Sequence, residues 1–372
     1  MIYYDNAATS YPKPKRVTER LNSCLKKYCG NPGRSSHFLA LRAAEEIYSV
    51  RERIAALLKL SECEGVVFTY NATYALNMAI KTLITQKCHV IISDIEHNSV
   101  IRPLEILKKK LGVEYDSFST DGSIRENIES LLRPDTACII STLASNVTGK
   151  EVSERVLSSV ATRHGLDLIL DASQAIGHRE INLSDCPCSV LCAPAHKGLY
   201  GIQGAGFCVF REAVRRADFM EGGSGSDSIN KYMPELLPEG YEAGTLSTPA
   251  ISALGAGIDY INECGISAIK DKERELSEKI KYRIDSLKNS VLYPSFGGII
   301  SFNLKNIPSS EVARGLDRYN ICVRSGLHCA PGAHQKLATL STGTVRISLS
   351  NFNTVKEIDR FYKVLRGISQ DI

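Results

Sequence analysis

Residues 195–206 read Ala195-His196-Lys197-Gly198-Leu199-Tyr200-Gly201-Ile202-Gln203-Gly204-Ala205-Gly206. A single lysine follows a histidine at the head of a glycine-rich stretch, whose backbone can turn tightly and approach a ligand closely. The apolar run at 207–210 comes next and predicts a buried strand. A lysine that is desolvated in such a loop can form a Schiff base with a carbonyl group. On this stretch alone, a surface lysine in a turn remains the alternative.

Composition limits the classes of protein to consider. The chain has 372 residues, of which 43% are hydrophobic and 23% charged, as in ordinary soluble globular proteins. A formal charge of +4 is too small to indicate nucleic-acid binding, and the basic run at 108–110 is typical of a solvated helix end. No apolar stretch is long enough to span a bilayer, and residues 1–5 do not resemble a signal peptide. We therefore expect a cytoplasmic protein with no membrane or nucleic-acid partner.

The twelve cysteines are expected to be thiols rather than disulfides. Most of them lie in apolar runs and behave as small hydrophobic residues, as Cys138 does. Cys186, Cys188 and Cys192 are close in sequence, but their spacing does not match that of a zinc site. No metal site is predicted.

Strands and helices alternate through the first two thirds of the chain. Apolar runs at 66–70, 89–92, 136–141 and 166–170 predict strands, with helices between them, a pattern typical of a mostly parallel sheet covered on both faces. In such sheets the ligand lies beyond the carboxyl ends of the strands. Four polar residues follow strands at these ends, namely His97, Asn146, Asp171 and Gln174.

The alternation loosens near residue 219, and a smaller α+β unit follows. Its predicted helices cover about 249–263 and 267–287, and its predicted strands lie at 297–302, 321–324 and 344–348. We predict a large domain from residue 14 to 248, and a small α+β domain formed by residues 1–13 and 249–372.

The segment Asn71-Ala72-Thr73 opens a helix directly after the strand at 66–70. Free amides at a helix start bind anions, and a phosphate is the usual occupant. An ordinary N-cap by Asn71 or Thr73 explains the same residues equally well.

Asp171 adds a second element to the chemistry of Lys197. It ends an apolar strand, where its charge is costly without a cationic partner. It lies 26 residues before Lys197, which leaves room for one helix and one strand. Pyridoxal phosphate needs a carboxylate at its ring nitrogen and a lysine at its aldehyde, so the pair suggests this cofactor. A helix N-cap is the alternative role for Asp171.

Taken together, these motifs resemble those of the cysteine desulfurase family, within the class V group of fold-type I pyridoxal phosphate enzymes. The resemblance follows the family's order over nearly the whole chain. It rests on Asp5-Asn6-Ala7-Ala8-Thr9-Ser10, Asn71-Ala72-Thr73, Glu96-His97-Asn98, Ser145-Asn146-Val147-Thr148-Gly149, Asp171-Ala172-Ser173-Gln174, His196-Lys197, Glu242-Ala243-Gly244-Thr245 and Arg324-Ser325-Gly326-Leu327-His328-Cys329-Ala330-Pro331. It implies a mostly parallel seven-stranded sheet in the large domain, beside the small α+β domain.

The resemblance implies a cofactor role for each matching residue. Lys197 would bind the aldehyde and move the proton at the substrate α-carbon. Asp171 would pair with the ring nitrogen, Gln174 with the phenolic oxygen, and His97 would stack on the ring and assist proton transfer. The phosphate would be held by Ala72, Thr73 and His196, with Thr245 reaching in from a second subunit, which implies a homodimer.

The resemblance also implies the substrate and the reaction. Asn146 and Arg346, with Arg324, would bind L-cysteine, an arginine being suited to a bidentate grip on its carboxylate. Cys329 would attack the substrate sulfur and keep it as a persulfide while L-alanine leaves. A nearby cation such as Arg324 would favour its thiolate. The short stretch from Arg324 to Gly343 leaves little room for a long mobile loop, as in the second subgroup, which includes selenocysteine lyase-like enzymes and often relies on an acceptor protein.

Several alternatives stay open. Pro194 and Ala195 stand where well-known members have a serine or threonine that contacts the phosphate, so one hydrogen bond is either missing or supplied by Ser224 or Ser226. The activity could instead be that of a selenocysteine lyase acting on L-selenocysteine, or of a class V aminotransferase or lyase that does not need Cys329. A catalytically silent scaffold is a further alternative. The sulfur acceptor and the pathway, whether iron-sulfur cluster assembly, tRNA thiolation or selenium metabolism, are not determined by the sequence.

Overall fold

The computed structural model describes residues 1–33, 37–211, 216–226 and 229–370. Within these ranges, no helix combines the length and the apolar character needed to cross a membrane. The strands are β1 Ile2–Tyr3, β2 Val66–Thr69, β3 His89–Ser93, β4 Glu114–Phe118, β5 Thr136–Thr142, β6 Asp167–Asp171, β7 Val190–Pro194, β8 Gly206–Phe210, β9 Ser290–Leu292, β10 Ile299–Leu304, β11 Ile321–Cys322, β12 Arg324–Gly326 and β13 Thr344–Ser348. The helices are α1 Lys15–Lys27, α2 Phe38–Leu57, α3 Ala72–Leu83, α4 Asn98–Leu111, α5 Ile124–Glu129, α6 Glu154–His164, α7 Thr248–Cys264, α8 Ile266–Asp285, α9 Ser309–Asp317, α10 Pro331–Lys336 and α11 Val355–Gln370.

A seven-stranded sheet with the order β2-β8-β7-β6-β5-β3-β4 forms the centre of the larger unit. Five neighbouring strands run parallel, namely β4, β3, β5, β6 and β7. Strand β8 runs antiparallel to both of its neighbours, β7 and β2. Each face of the sheet has its own hydrophobic core, because Ile139 of β5 packs in one cluster and Cys138 and Ile140 pack in the other. This alternation within the apolar run of β5 is what a sheet covered on both faces requires. The predicted fold class is confirmed.

A smaller unit is built on the antiparallel sheet β12-β13-β10-β9. Its separate core includes Ile280 of α8, Phe302 of β10 and Phe361 of α11. The N-terminal segment joins this unit, because β1 pairs in parallel with β11 and Tyr4 is buried in the same core.

Helix α7 packs on α1 and α2, and its Leu254 and Ile258 belong to a core of the larger sheet. Along α8 the surroundings change, since Ile269 lies in that core and Leu276 lies in the core of the smaller unit. The division into residues 14–248 and residues 1–13 with 249–372 stays a prediction.

Two of the differences between the predicted and the observed elements have a clear physical reason. Strand β4 was not predicted, because its side chains are mostly exposed or half-buried at the edge of the sheet and give no apolar run. The single strand predicted at 321–324 is wrong. The chain forms β11 and β12 there, which belong to different sheets.

The loop that carries Lys197 is fixed by a backbone contact with the turn after β6. Gly177 has a φ of +84°, and a Cβ built on it would collide with the carbonyl of Gly198. A Cβ on Gly198 would in turn collide with the carbonyl of Ile176. The two backbones can approach this closely only when both positions are glycine. The contact holds Gly198, the residue after Lys197, against the segment that begins at Asp171.

A pair of glycine substitutions tests this contact. Gly165, the C-cap of α6, also has a positive φ, of +64°, but a Cβ added there would meet nothing within 4 Å. We expect Gly165→Ala to cost about 1–2 kcal/mol of unfolding free energy, the strain of a left-handed alanine. Gly177→Ala adds the collision and should cost at least about 3 kcal/mol. Urea unfolding measures both, and equal losses would contradict the proposed backbone contact.

Candidate active site

A cavity of about 540 Å³ lies at the carboxyl ends of the parallel strands. Its lining includes eight of the residues singled out in the sequence: Ala72, Thr73, His97, Asn146, Asp171, Gln174, His196 and Lys197. They come from the ends of several strands that are neighbours in the sheet but distant in sequence. The structure therefore brings most of the predicted cofactor-binding residues to one place.

Lys197 follows β7 by three residues and is half-buried. Burial lowers the pKa of its ammonium to about 8, with Arg346 and Arg324 acting in the same direction and Asp171 and Cys329 opposing them. A large share of the side chain is therefore the neutral amine near pH 8, which is the form that attacks a carbonyl group.

The peptide bond before Lys197 is anchored by the N-terminal segment. The carbonyl oxygen of His196 accepts hydrogen bonds from the Ser10 amide at 3.0 Å, from the hydroxyls of Thr9 and Ser10 at 3.1 Å, and from Nζ of Lys13 at 3.0 Å. Burial lowers the pKa of Lys13 to about 8. These donors fix the direction in which the Lys197 side chain leaves the backbone.

Asp171 is the last residue of β6 and is 3% exposed. Its Oδ1 accepts a hydrogen bond from the Ser173 amide at 2.8 Å, which orients the carboxylate. Gln174 lies one turn further on, and its Nε2 donates to the carbonyl of Ala7 at 3.0 Å. The carboxylate and the amide thus line the same wall of the cavity.

His97 lies at the N-terminus of α4. Its Nδ1 accepts from the Ser99 amide at 3.1 Å, and the Ser99 hydroxyl lies 2.9 Å from Nδ1 and 2.8 Å from the hydroxyl of Thr73. Burial lowers the pKa of His97, and Lys197 and Arg324 add to this effect while Asp171 opposes it. The ring is therefore a neutral imidazole whose proton is on Nε2. Sequence reasoning missed Ser99, which links two predicted site residues.

The N-terminus of α3 and His196 form an end of the cavity suited to an anion. The side chain of Asn71 caps the Tyr74 amide at 2.9 Å, so the N-cap alternative is observed. The amides of Ala72 and Thr73 stay without an intrahelical partner, and anion binding by them stays a prediction. Nδ1 of His196 is buried and has no hydrogen-bond partner among the described residues. Burial lowers the pKa of that ring to about 4, so the imidazole is neutral and carries one N–H.

Arg346 lies on β13, directly opposite Arg324 of β12, and is 1% exposed. Its Nη2 forms an ion pair with Asp5 at 2.7 Å, and its Nη1 donates to the backbone carbonyl of Asn146 at 2.9 Å. Its Nε is buried and has no partner in the described part of the chain. The guanidinium is thus held on two sides, and its Nε–H is left unpaired among the described residues. Asp5 was part of a quoted motif, but its pairing with Arg346 was not predicted.

Cys329 is exposed and lies in a short segment between β12 and α10. Asn146 Nδ2 donates to the carbonyl of His328 at 2.6 Å, and the Asn98 amide donates to the carbonyl of Cys329 at 2.8 Å. Lys336, at the end of α10, forms an ion pair with Asp94 of the larger unit at 2.8 Å. The thiol segment is therefore fastened beside the cavity, although Cys329 and both arginines are not part of its lining.

Thr245, Ser224 and Ser226 are placed away from this cavity. Thr245 and Ser224 line a different and larger one, of about 1730 Å³. The hydroxyls of Ser224 and Ser226 lie 3.0 Å apart. Within a single chain, Thr245 and Ser224 thus lie outside the cavity that contains Lys197.

Glu96 has a buried carboxyl beneath the site. It belongs to the motif Glu96-His97-Asn98, but no role was predicted for it from the sequence. Its Oε1 accepts from the Ser93 hydroxyl and from the Thr142 amide, the latter at 2.7 Å. Burial raises the pKa of Glu96 to about 8, with Asp171 acting in the same direction and these hydrogen bonds opposing. Glu96 is therefore protonated at neutral pH, so that Asp171 does not face a second buried negative charge.

Comparisons with known proteins identify the family of the chain. The family model described as Aminotransferase class-V matches residues 2–361. A probable cysteine desulfurase of Methanothermobacter thermautotrophicus is 32% identical and covers 99% of this chain and 94% of its own length. A cysteine desulfurase of Klebsiella pneumoniae is 29% identical and covers 99% and 93%. The solved apo structure of a cysteine desulfurase from Thermococcus onnurineus, 28% identical, has a TM-score of 0.92 and covers 100% of this chain and 95% of its own.

The raised pKa of Glu96 makes a prediction about stability. A carboxyl whose pKa is higher in the folded protein binds a proton on folding, so its contribution is complete below about pH 4.5 and is lost as pH rises through about 8. Glu96→Gln removes this loss. As pH rises from about 5.5 to 7.5, we expect the unfolding free energy of the variant to increase by about 2 kcal/mol relative to that of wild type.

Urea unfolding at several pH values measures the difference. Glu62→Gln, the same change at an exposed side chain, controls for the loss of a carboxylate. A difference between Glu96→Gln and wild type that does not change with pH would show that Glu96 is ionised when folded.

Proposed function

Because the chain belongs to the aminotransferase class-V family, we propose that it is a pyridoxal phosphate-dependent cysteine desulfurase. It would convert L-cysteine to L-alanine and keep the sulfur as a persulfide on Cys329. One observation carries the proposal: Asn146, which lines the cavity of Lys197, donates a hydrogen bond to the carbonyl directly before Cys329. This hydrogen bond supports the proposal because it fastens the segment of the exposed thiol beside the cavity that contains the Lys197 amine.

The residues of the cavity fit the cofactor. The strand-end carboxylate of Asp171 suits a protonated ring nitrogen. The unpartnered Nδ1 of His196 and the free amides at the start of α3 suit a phosphate. The neutral imidazole of His97 gives a flat face against which a ring can stack. When bound, the cofactor supplies an electron sink for the bonds around the substrate α-carbon.

The protein's own residues then bind the substrate and move its protons. Arg346 would bind the substrate carboxylate through its unpaired Nε–H, while Asp5 and the carbonyl of Asn146 keep the guanidinium in place. Lys197, with a pKa near 8, binds the cofactor aldehyde and afterwards takes and returns the proton at the α-carbon. The hydrogen bond from Ser99 keeps Nδ1 of His97 occupied, so that only its Nε2 serves for proton transfer.

Sulfur transfer to Cys329 is balanced without an external oxidant. The thiolate Sγ forms a bond with the substrate sulfur while the substrate carbon–sulfur bond breaks. That carbon gains a proton, so the products are L-alanine and a persulfide on Cys329. The exposure of Cys329 allows an acceptor protein to collect the sulfur.

The thiol is tested by comparing the two exposed cysteines, Cys329 and Cys29. With L-cysteine as substrate, we expect Cys329→Ala to lower alanine production on the order of 100-fold or more. Cys29→Ala should leave it unchanged. Mass spectrometry of the wild-type protein should find one added sulfur on the peptide that contains Cys329.

Three outcomes would contradict the proposal or narrow it. Full alanine production by Cys329→Ala would favour an aminotransferase or lyase that does not use this thiol. Much faster turnover of L-selenocysteine than of L-cysteine would favour a selenocysteine lyase. Absence of turnover with both substrates would favour the catalytically silent scaffold.

A homodimer that shares its active sites is tested with hybrid dimers. We propose that Thr245 reaches the phosphate bound by a second subunit, because within its own chain it lies on a different cavity. Lys197→Ala and Thr245→Glu should each abolish turnover alone. When the two variants are co-expressed, the hybrid regains one intact site, and the mixture should reach about a quarter of the wild-type activity. No gain over the parent variants would contradict sharing.

A further inference from the structure

Three buried side chains form a hydrogen-bonded chain that begins at the residue before Cys329. Nδ1 of His328 lies 3.2 Å from Nε2 of His334, and Nδ1 of His334 lies 2.8 Å from the hydroxyl of Thr339. The two imidazole rings are stacked, with centroids 5.4 Å apart and planes 17° apart. Their exposures are 5% for His328, 0% for His334 and 2% for Thr339. None of these contacts has a role in the proposed function above.

Both rings are neutral. Burial lowers the pKa of His328 to about 2, and the charges of Arg346 and Arg324 and the neighbouring His334 act in the same direction, whereas the backbone carbonyl of Arg324 opposes them. Burial also lowers the pKa of His334. A neutral imidazole donates from one nitrogen and accepts at the other. The orientation of hydrogen bonds along the chain therefore fixes the ring of His328, whose Nε2 is buried and has no hydrogen-bond partner among the described residues.

The backbone of this turn is held in an unfavourable conformation. His328 and Cys329 have φ values of +50° and +57°, in the left-handed region that side chains other than glycine rarely adopt. Their carbonyls are fixed by Asn146 and by the Asn98 amide. Strained residues persist only where their surroundings hold them on several sides, and here the remaining side is the His328 ring.

We propose that His334 and Thr339 are positioning residues for the thiol of Cys329. They hold His328 through the buried chain, and His328 in turn keeps the left-handed turn that carries the Cys329 thiol beside the cavity. The inference rests on the proposed function only in that Cys329 is the residue that receives sulfur. Neither His334 nor Thr339 lines the cavity that contains Lys197.

Two substitutions at position 334 separate the two hydrogen bonds. The side-chain amide of His334→Gln reaches the position of Nε2 and keeps a partner for His328. The shorter amide of His334→Asn reaches the position of Nδ1, so it keeps the bond to Thr339 and loses the one to His328. Thr339→Val removes the hydroxyl without changing the shape of the side chain, and it serves as a second probe if His334→Asn does not fold.

The readout is alkylation of Cys329 by iodoacetamide in the purified holoenzyme, followed by mass spectrometry from about pH 6 to 10. We expect His334→Asn to change the rate on the order of fivefold and to shift its pH midpoint, since the environment of a thiol controls its reactivity. Thr339→Val should change both in the same direction by less. His334→Gln should stay within about twofold of wild type. Cys29, alkylated in the same samples, should react equally in all variants.

The proposal is overturned if the rate and pH midpoint of Cys329 are the same in His334→Asn as in wild type. It is also overturned if His334→Gln and His334→Asn lower the melting temperature equally and leave the midpoint unchanged, because His334 would then only fill the core. Alkylation does not depend on turnover. A wild-type protein that makes no alanine from L-cysteine would defeat the proposed function, while the alkylation rates would still decide the role of His334.

Discussion

The site depends on the burial of opposite charges at the end of a parallel sheet. Asp171 is almost fully buried at the end of β6, and the ammonium of Lys197 is desolvated on the next strand connection. Either charge alone would be costly in this position, and each lowers the cost of the other. The glycine contact between Gly177 and Gly198 keeps the two loops at this separation. Around this pair, the protein avoids further uncompensated charge by keeping Glu96 protonated and His97 neutral.

The thiol of Cys329 is positioned differently from the amine of Lys197. Lys197 sits in a rigid glycine loop of the larger unit, whereas Cys329 belongs to the short stretch after β12 in the smaller unit. Hydrogen bonds from Asn98 and Asn146 and the ion pair between Lys336 and Asp94 join the two units at this point. Cys329 is therefore exposed but its backbone is held in place, which suits the proposed role of a thiol that meets a substrate and then an acceptor.

Much of the fold followed from local patterns, and the rest needed contacts that the sequence does not encode locally. Apolar runs predicted the buried strands, and the polar residues after them marked the cavity, because parallel strands end at one edge. The edge strand β4 has no apolar run, and the split between β11 and β12 depends on which sheet each piece joins. The same limit applied at the site. The pairing of Asp5 with Arg346 spans 341 positions, and the contact of His328 with His334 depends on a turn that no pattern predicts.

The position of the N-terminal segment affects the order in which the molecule can assemble. A polypeptide is made from its N-terminus, so Ile2 and Asp5 leave the ribosome long before Ile321 and Arg346, with which they pair. Until β11 is made, β1 has no neighbouring strand. Until β13 is made, Arg346, which pairs with the carboxylate of Asp5, is missing. The large sheet can fold during synthesis, but the reactive centre closes only once the last part of the smaller unit has emerged. In the proposed desulfurase, a nascent chain therefore lacks Cys329 and Arg346 until its synthesis is nearly complete.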